Sequence, residues 1–270
     1  LTPSIVPPEV PPFPTPFFGK SELARLEEIS EAIGRSPRPG FVASCEAFLG
    51  ELVKWNRRIN LVSRLDEERI VERHLLDSLC LLSVEPQLAG KTAIDVGSGA
   101  GFPGLVLALW EPAASVFLVE SRGKRASFLR TAKRRLFIRN IKVMEARLEQ
   151  LAEALGADVS ETALGSDDSL RSDGRAWGVR ASPRRGEDEH SLVASGVDVI
   201  VSRGVGNVAG LLDSAEKVLG AGGLFVVYGS ETSGKKLTEG DLLRESKFEA
   251  ELVAPAWSTP TRLLVLRKLP

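Results

Sequence analysis

The stretch Thr92-Ala-Ile-Asp95-Val96-Gly97-Ser98-Gly99-Ala100-Gly101-Phe102-Pro103-Gly104 decides the fold. Ala93-Ile94 and Val96 read as a short buried parallel strand, which runs into a glycine-dense turn. The apolar run from Leu105 to Leu109 then reads as a helix. Strand, glycine turn and helix together are the nucleotide-binding crossover of open α/β sheets. Glycine is needed because the chain must turn tightly and let a ligand approach where a Cβ would collide. Pro103 suits the first helical turn, where its missing N–H leaves no bond unmade.

Two ligands fit such a turn. Gly99-x-Gly101-x-x-Gly104 is the dinucleotide pattern, with a pyrophosphate on the helix N-terminus. The other register, Asp95-x-Gly97-x-Gly99-x-Gly101, places an acid two residues before the first glycine. An acid at the strand end suits a cationic amino-acid ligand better than a pyrophosphate. S-adenosylmethionine, with its α-amino group and sulfonium, is such a ligand and is the favoured cofactor.

Outward from this stretch the pattern alternates. Val116 to Val119 reads as a second strand ending at Glu120-Ser121, and a basic helix follows with Phe128, Leu129, Ala132 and Leu136 on its buried side. Ile141 to Met144 is a short third strand. Val197 to Val201 is a fourth, ending at Ser202-Arg203-Gly204. A helix through Leu211, Leu212 and Ala215 closes at Gly220, and Leu224 to Tyr228 make the fifth strand. Two strand-like runs, Phe248 to Val253 and Leu263 to Leu266, lie too close together for a helix between them. The expectation is an α/β, Rossmann-like, seven-stranded sheet with an antiparallel edge hairpin, the class I S-adenosylmethionine-dependent methyltransferase fold, on residues 91–270.

Before it lies a helical segment, 21–90. Ser21 is expected to cap a first helix, a second spans about 41–57, and Asp66 opens a third through Leu82. Residues 1–20 are dominated by proline and read as a disordered arm. Residues 156–195 are polar, rich in Gly, Ser, Asp and Arg, and read as an insertion in the methyltransferase domain.

Composition narrows the class. At 270 residues, 43% hydrophobic and 26% charged, the chain is an ordinary soluble protein with a sizeable core. No apolar run approaches a membrane span, and the N-terminus lacks a signal-peptide layout, so the expected location is the cytoplasm. Leu1 in the place of Met suits a trimmed, processed or unusually started chain. Two cysteines, Cys45 and Cys80, do not make a disulfide framework, and His74 and His190 are too far apart in sequence to suggest a metal site. With a net charge of −1, nucleic-acid binding has to come from local clustering of cations. Arg122, Lys124, Arg125, Arg134 and Arg135 belong to the strongest such cluster and are assigned as RNA contacts.

Ligands of open α/β sheets lie beyond the carboxyl ends of the strands. That rule collects Asp95, Gly97, Gly99, Glu120, Leu148, Glu149 and Arg203 at one rim. Glu120 stands where an acid would grip ribose hydroxyls, and Leu148-Glu149 could meet an adenine. The loop after the fourth strand has no Asn/Asp-Pro-Pro-aromatic segment, which enzymes acting on exocyclic amines commonly carry. It also has no nucleophilic cysteine, which pyrimidine C5 methylation needs. An acceptor with a free lone pair, such as guanine N7, needs neither and requires no general base. His74 and Asp77 share a helical face and read as a structural pair.

Five segments in order carry a resemblance. Trp55-Asn56…Asn60-Leu61, Arg73-His74…Asp77-Ser78, Ile94 to Gly104, Glu120-Ser121…Gly123-Lys124-Arg125…Phe128-Leu129 and Val201-Ser202-Arg203 together resemble the RsmG (GidB) family. These are the bacterial small-subunit rRNA guanine-N7 methyltransferases. The resemblance covers about 41–150 and 196–268. It implies S-adenosylmethionine as donor and 16S rRNA near the decoding centre as substrate. By motif position it puts cofactor contacts on Gly97, Phe102, Leu148, Glu149 and Arg203. Gly204, where relatives often have Ala, the proline-rich arm and the polar insertion are departures. The expected partner is therefore the small ribosomal subunit or its 16S rRNA, met by a monomer without metal. Two other readings remain: a methyltransferase for another RNA or a small molecule, and a non-catalytic RNA-binding assembly factor.

Overall fold

In the computed structural model the described residues are 17–154, 197–204, 207–230, 246–257 and 261–270. The proline-rich arm up to residue 16 and the polar insertion lie outside them. The sheet has seven strands: β1 (Thr92–Val96), β2 (Ser115–Val119), β3 (Ile141–Met144), β4 (Val197–Arg203), β5 (Leu219–Gly229), β6 (Phe248–Val253) and β7 (Arg262–Lys268). Their order is β3-β2-β1-β4-β5-β7-β6. β3, β2, β1, β4 and β5 pair in parallel, whereas β7 runs antiparallel to both β5 and β6. This is the α/β, Rossmann-like class I methyltransferase topology, edge hairpin included.

The apolar runs of the parallel strands look continuous because both faces are covered, and alternate residues serve opposite sides. Ala93, Val116, Leu118, Val199 and Val201 enter one core. Ile94, Val96, Phe117, Val119 and Ile200 enter the other. The first core is shared with the N-terminal helices α1 (Lys20–Ile33) and α2 (Phe41–Asn56), and with α4 (Gly104–Trp110) and α5 (Gly123–Arg135). The second is closed by a helix beginning at 148 and by α6 (Ala209–Val218). Aromatic edges lock the first core: Phe48 meets Phe102 at 5.4 Å between ring centroids, and Trp55 meets Phe128 at 5.9 Å.

Three local expectations change. Ser21 does not cap α1. Gly19 does, and the Glu22 carboxylate accepts the Gly19 N–H at 3.0 Å. The strand β5 starts at Leu219, so Gly220 to Gly223 lie within it. There the pairing with β4 slips between Val197 and Val199, and Gly222 takes φ +72°.

The expected third helix is broken into three geometries. Ser63 caps a short helix, α3 (Arg64–Glu67), its hydroxyl accepting the Asp66 N–H. A π-helical turn follows at Val71–Leu76, then a 3-10 turn at Leu79–Ser83. Partners from the sheet bond this segment. Tyr228 of β5 donates its hydroxyl to Ser78 O at 2.8 Å and accepts the Leu81 N–H at 3.0 Å.

Candidate functional site

The strand order reverses between β1 and β4, which opens a crevice at the carboxyl ends of these two strands. Val96 pairs with Ser202 at that point, so the glycine turn and the Arg203 loop are neighbours. Cys45 and Cys80 are both buried. Among the described residues no group of three or more His, Cys, Asp or Glu could hold a metal ion. No helix among them is long and apolar enough to cross a membrane.

Gly97, Gly99 and Gly101 take φ of 74°, 50° and 91°. Three left-handed residues at alternate positions are what the glycines permit. The turn is bonded to β2 through Val119 O, which accepts the Gly97 N–H at 2.8 Å and the Ser98 N–H at 3.2 Å. Space fixes Gly104: a Cβ there would stand 2.6 Å from both Asp95 Cβ and a Leu118 methyl.

Asp95 is fully buried under the turn. Its Oδ2 accepts the Gly104 N–H at 3.0 Å, and its Oδ1 has no hydrogen-bond partner among the described residues. Burial raises its pKa to about 7, against the opposing pull of the Gly104 N–H. Glu120 is 4% exposed and spans from β2 to the turn. Its Oε2 accepts the Gly99 N–H at 2.9 Å and its Oε1 the Arg122 N–H at 2.8 Å. Gly97 is exposed at the rim.

The other expected residues divide. Leu148 is buried in the second core, while Glu149 is exposed. The Phe102 ring packs inward, edge-on to Phe48 and stacked on His74 at 5.2 Å. Arg203 reaches away from the sheet to the π-helical turn. Its guanidinium pairs with Asp77 Oδ2 at 2.8 Å and donates to the carbonyls of His74, at 3.2 Å, and Arg73.

His74 therefore does not pair with Asp77 as expected, because Arg203 occupies that carboxylate. The His74 Nε2 has no hydrogen bond among the described residues, and Asp66 Oδ2 lies 3.9 Å from it. Burial, with the Arg203 charge added, lowers the imidazole pKa to about 4, so the ring is neutral.

Of the five basic residues expected to meet RNA, on α5 and just before it, Arg122, Lys124, Arg134 and Arg135 are exposed. Arg125 donates to Asn60 O at 3.2 Å, and its Nη1 lies 3.4 Å from where a Gly99 Cβ would stand. Arg135 pairs with the buried Glu51 of α2 at 3.1 Å. Those two hold the N-terminal helices against α5.

Asp77 went unassigned as the partner of Arg203. No local pattern joins residues this far apart, but an acid among Leu75, Leu76 and Leu79 was a sign that a distant cation would be needed.

The sequence matches the GidB family, described as rRNA small subunit methyltransferase G, over residues 42–163. A curated ribosomal RNA small subunit methyltransferase G from Halorhodospira halophila is 48% identical over 119 residues, 44% of this chain and 56% of its own length. One from Xanthomonas axonopodis pv. citri is 39% identical over 143 residues, 51% of this chain and 66% of its own. The matches thus span between about half and two thirds of these relatives. A solved methyltransferase from Pyrococcus furiosus is 14% identical, covering 74% of this chain and 87% of its own, with a TM-score of 0.46. By its ordered motifs and these relatives, the chain is similar over residues 42–163 to the GidB family of small-subunit rRNA methyltransferases.

Proposed function

We propose that the chain transfers a methyl group from S-adenosylmethionine to guanine N7 of 16S rRNA, free or within the small ribosomal subunit. The observation that carries this is the glycine turn at the β1/β4 switch point, with a buried acid beneath it. The residues fit the cofactor. Asp95 Oδ1 is an acceptor with no hydrogen-bond partner among the described residues, and burial makes such an atom costly unless something completes it. An ammonium group of the methionine part would do so. The three left-handed glycines keep the turn free of side chains, and Gly97 is open to solvent.

Bound S-adenosylmethionine would supply an electrophilic methyl on its sulfonium. Asp95, Gly97 and Gly99 would hold the methionine part. Glu120, whose two oxygens each accept one backbone N–H, keeps a lone pair on each for the ribose hydroxyls. Leu148 and Glu149 would meet the adenine, and Phe102 would act through its backbone and by shaping the turn from behind. Arg203, anchored on Asp77, would border the pocket that receives the base. Guanine N7 carries a lone pair and no proton, so the protein needs no general base. Its contribution is to hold N7 in line with the methyl group and to exclude water. Arg122, Lys124, Arg125, Arg134 and Arg135 would meet phosphates.

The test pairs two measurements. Calorimetry should detect S-adenosylmethionine binding by the purified chain, and replacing Gly97 by Val should abolish it. Small subunits lacking the modification, incubated with the chain and methyl-labelled cofactor, should become cleavable by borohydride and aniline at one 16S guanine. A protein that binds the cofactor yet leaves N7 unmodified would overturn the substrate assignment. The absence of binding heat would overturn the cofactor assignment.

A further inference from the structure

A broad open groove of about 1440 Å³ lies between the end of α2 and the loop before α3, and none of the expected cofactor residues lines it. Lys54, Arg57 and Arg64 line it together with Arg125, against the carboxylates of Glu67 and Glu68. Arg57 and Arg64 are exposed. Glu67 is engaged locally, accepting from Asn56 Nδ2 at 2.5 Å. Asn56 also fixes the groove wall: its Oδ1 accepts the N–H groups of Leu61 and Val62 at 2.9 and 3.1 Å. Beside the cations the lining carries apolar side chains, Phe17, Val53, Leu61 and Val62, with the polar Asn60 and Ser63.

Arg125 joins this groove to the glycine turn. It lines the groove, donates to Asn60 O, and its Nη1 lies 3.4 Å from where a Gly99 Cβ would stand. One side chain therefore stands at the end of the groove and at the edge of the β1/β4 crevice.

We propose that the groove is a binding channel for single-stranded RNA, which leads the strand past Arg125 to the glycine turn. This rests on the methyltransferase reading above. Four cations against two carboxylates favour an anionic occupant, and apolar surface beside them suits bases freed from stacking. A duplex presents its phosphates outward and keeps its bases covered, which leaves the apolar lining without a partner. The channel also agrees with the chemistry. A guanine whose N7 is to be alkylated has to be reached from a strand that can bend into the crevice.

The experiment uses the full chain and a fluorescein-labelled, mixed-sequence single-stranded RNA of about 20 nucleotides, a length that several contacts would fill. Arg57→Glu with Arg64→Glu should weaken its binding by about tenfold or more. It should also flatten the dependence of log K on log salt by about 1.4, the loss of two phosphate contacts to a single strand. Arg57→Ala with Arg64→Ala should give a smaller loss in the same direction, and covers the case in which charge reversal disturbs folding. S-adenosylmethionine affinity, measured by calorimetry on the same samples, should not change. Unchanged RNA affinity and salt slope in both double variants would overturn the channel, as would a duplex of the same length competing equally well. Failure of the parent chain to bind S-adenosylmethionine would instead strike the methyltransferase reading, and the RNA titration would still stand on its own.

Discussion

Two turns meet at the switch point of the sheet, and they are built in opposite ways. The turn after β1 is crowded: Gly101 and Gly104 face side chains at 3.2 Å and 2.6 Å from where a Cβ would be, and Asp95 is buried beneath. After β4, Gly204 takes φ +70° with nothing among the described residues within 4 Å of a Cβ, and Arg203 beside it is held by a distant helical turn. The first turn thus needs glycine for both space and backbone angle, whereas Gly204 is set by backbone angle alone.

Substitution of the glycines should break the comparison most sharply. Gly104→Ala forces Asp95 and Leu118 apart and displaces the carboxylate from the Gly104 N–H. Overpacking and a lost buried hydrogen bond together should cost about 4 kcal/mol, read from urea unfolding. An equal cost for Gly204→Ala would abolish the distinction between the turns.

The second effect is one of pH. The folded-state pKa of Asp95 is about 7, above the ordinary 3.8. Between these values the folded chain holds a proton that the unfolded chain has released, so stability from this group falls as pH rises toward 7. Asp95→Asn removes that dependence. From pH 5 to pH 7 the parent should lose roughly 2 kcal/mol relative to the variant in urea unfolding. His74, whose ring stacks on Phe102 of the first turn, acts with the opposite sign. Its pKa of about 4 means that the unfolded chain takes up a proton first, so its contribution is lost as pH falls below 6.5. The two oppose each other in the parent. Asp95→Asn should therefore lose stability on acidification more steeply than the parent does.

The smallest effect is Gly204→Ala. With nothing among the described residues near the Cβ, the cost is the left-handed backbone alone, about 1 kcal/mol. A thermal midpoint a few degrees lower would show it.

Much of this was legible in the sequence because it is local. The strands β1 to β4, the glycine turn and the edge hairpin each announce themselves by an apolar run with punctuation, and the structure has them where the pattern put them. The largest failure has one cause, a partner distant in sequence. Helical spacing continues from Asp66 to Leu82, yet the segment breaks into short α, π and 3-10 pieces. Its outside partners are the Arg203 guanidinium and the Tyr228 hydroxyl, more than a hundred residues along the chain. The Ser21 cap lost to Gly19 for a different reason, because the Glu22 carboxylate already completes the exposed N–H. The rim acids were found by position, but what they bond to was not. That Asp95 and Glu120 hold the turn itself through Gly104 and Gly99 needed coordinates.

The phenol of Tyr228 has a reach beyond its two hydrogen bonds. It stands on a central strand and fastens the 3-10 turn of the N-terminal layer, whose leucines interlock with those of the sheet in one apolar mass. Such a layer cannot peel away as a module without baring that mass to water. Amide exchange at Leu81 and along β5 should accordingly proceed through the same global opening, and excision of residues 21–90 would strip from the first core all of its cover but α4 and α5.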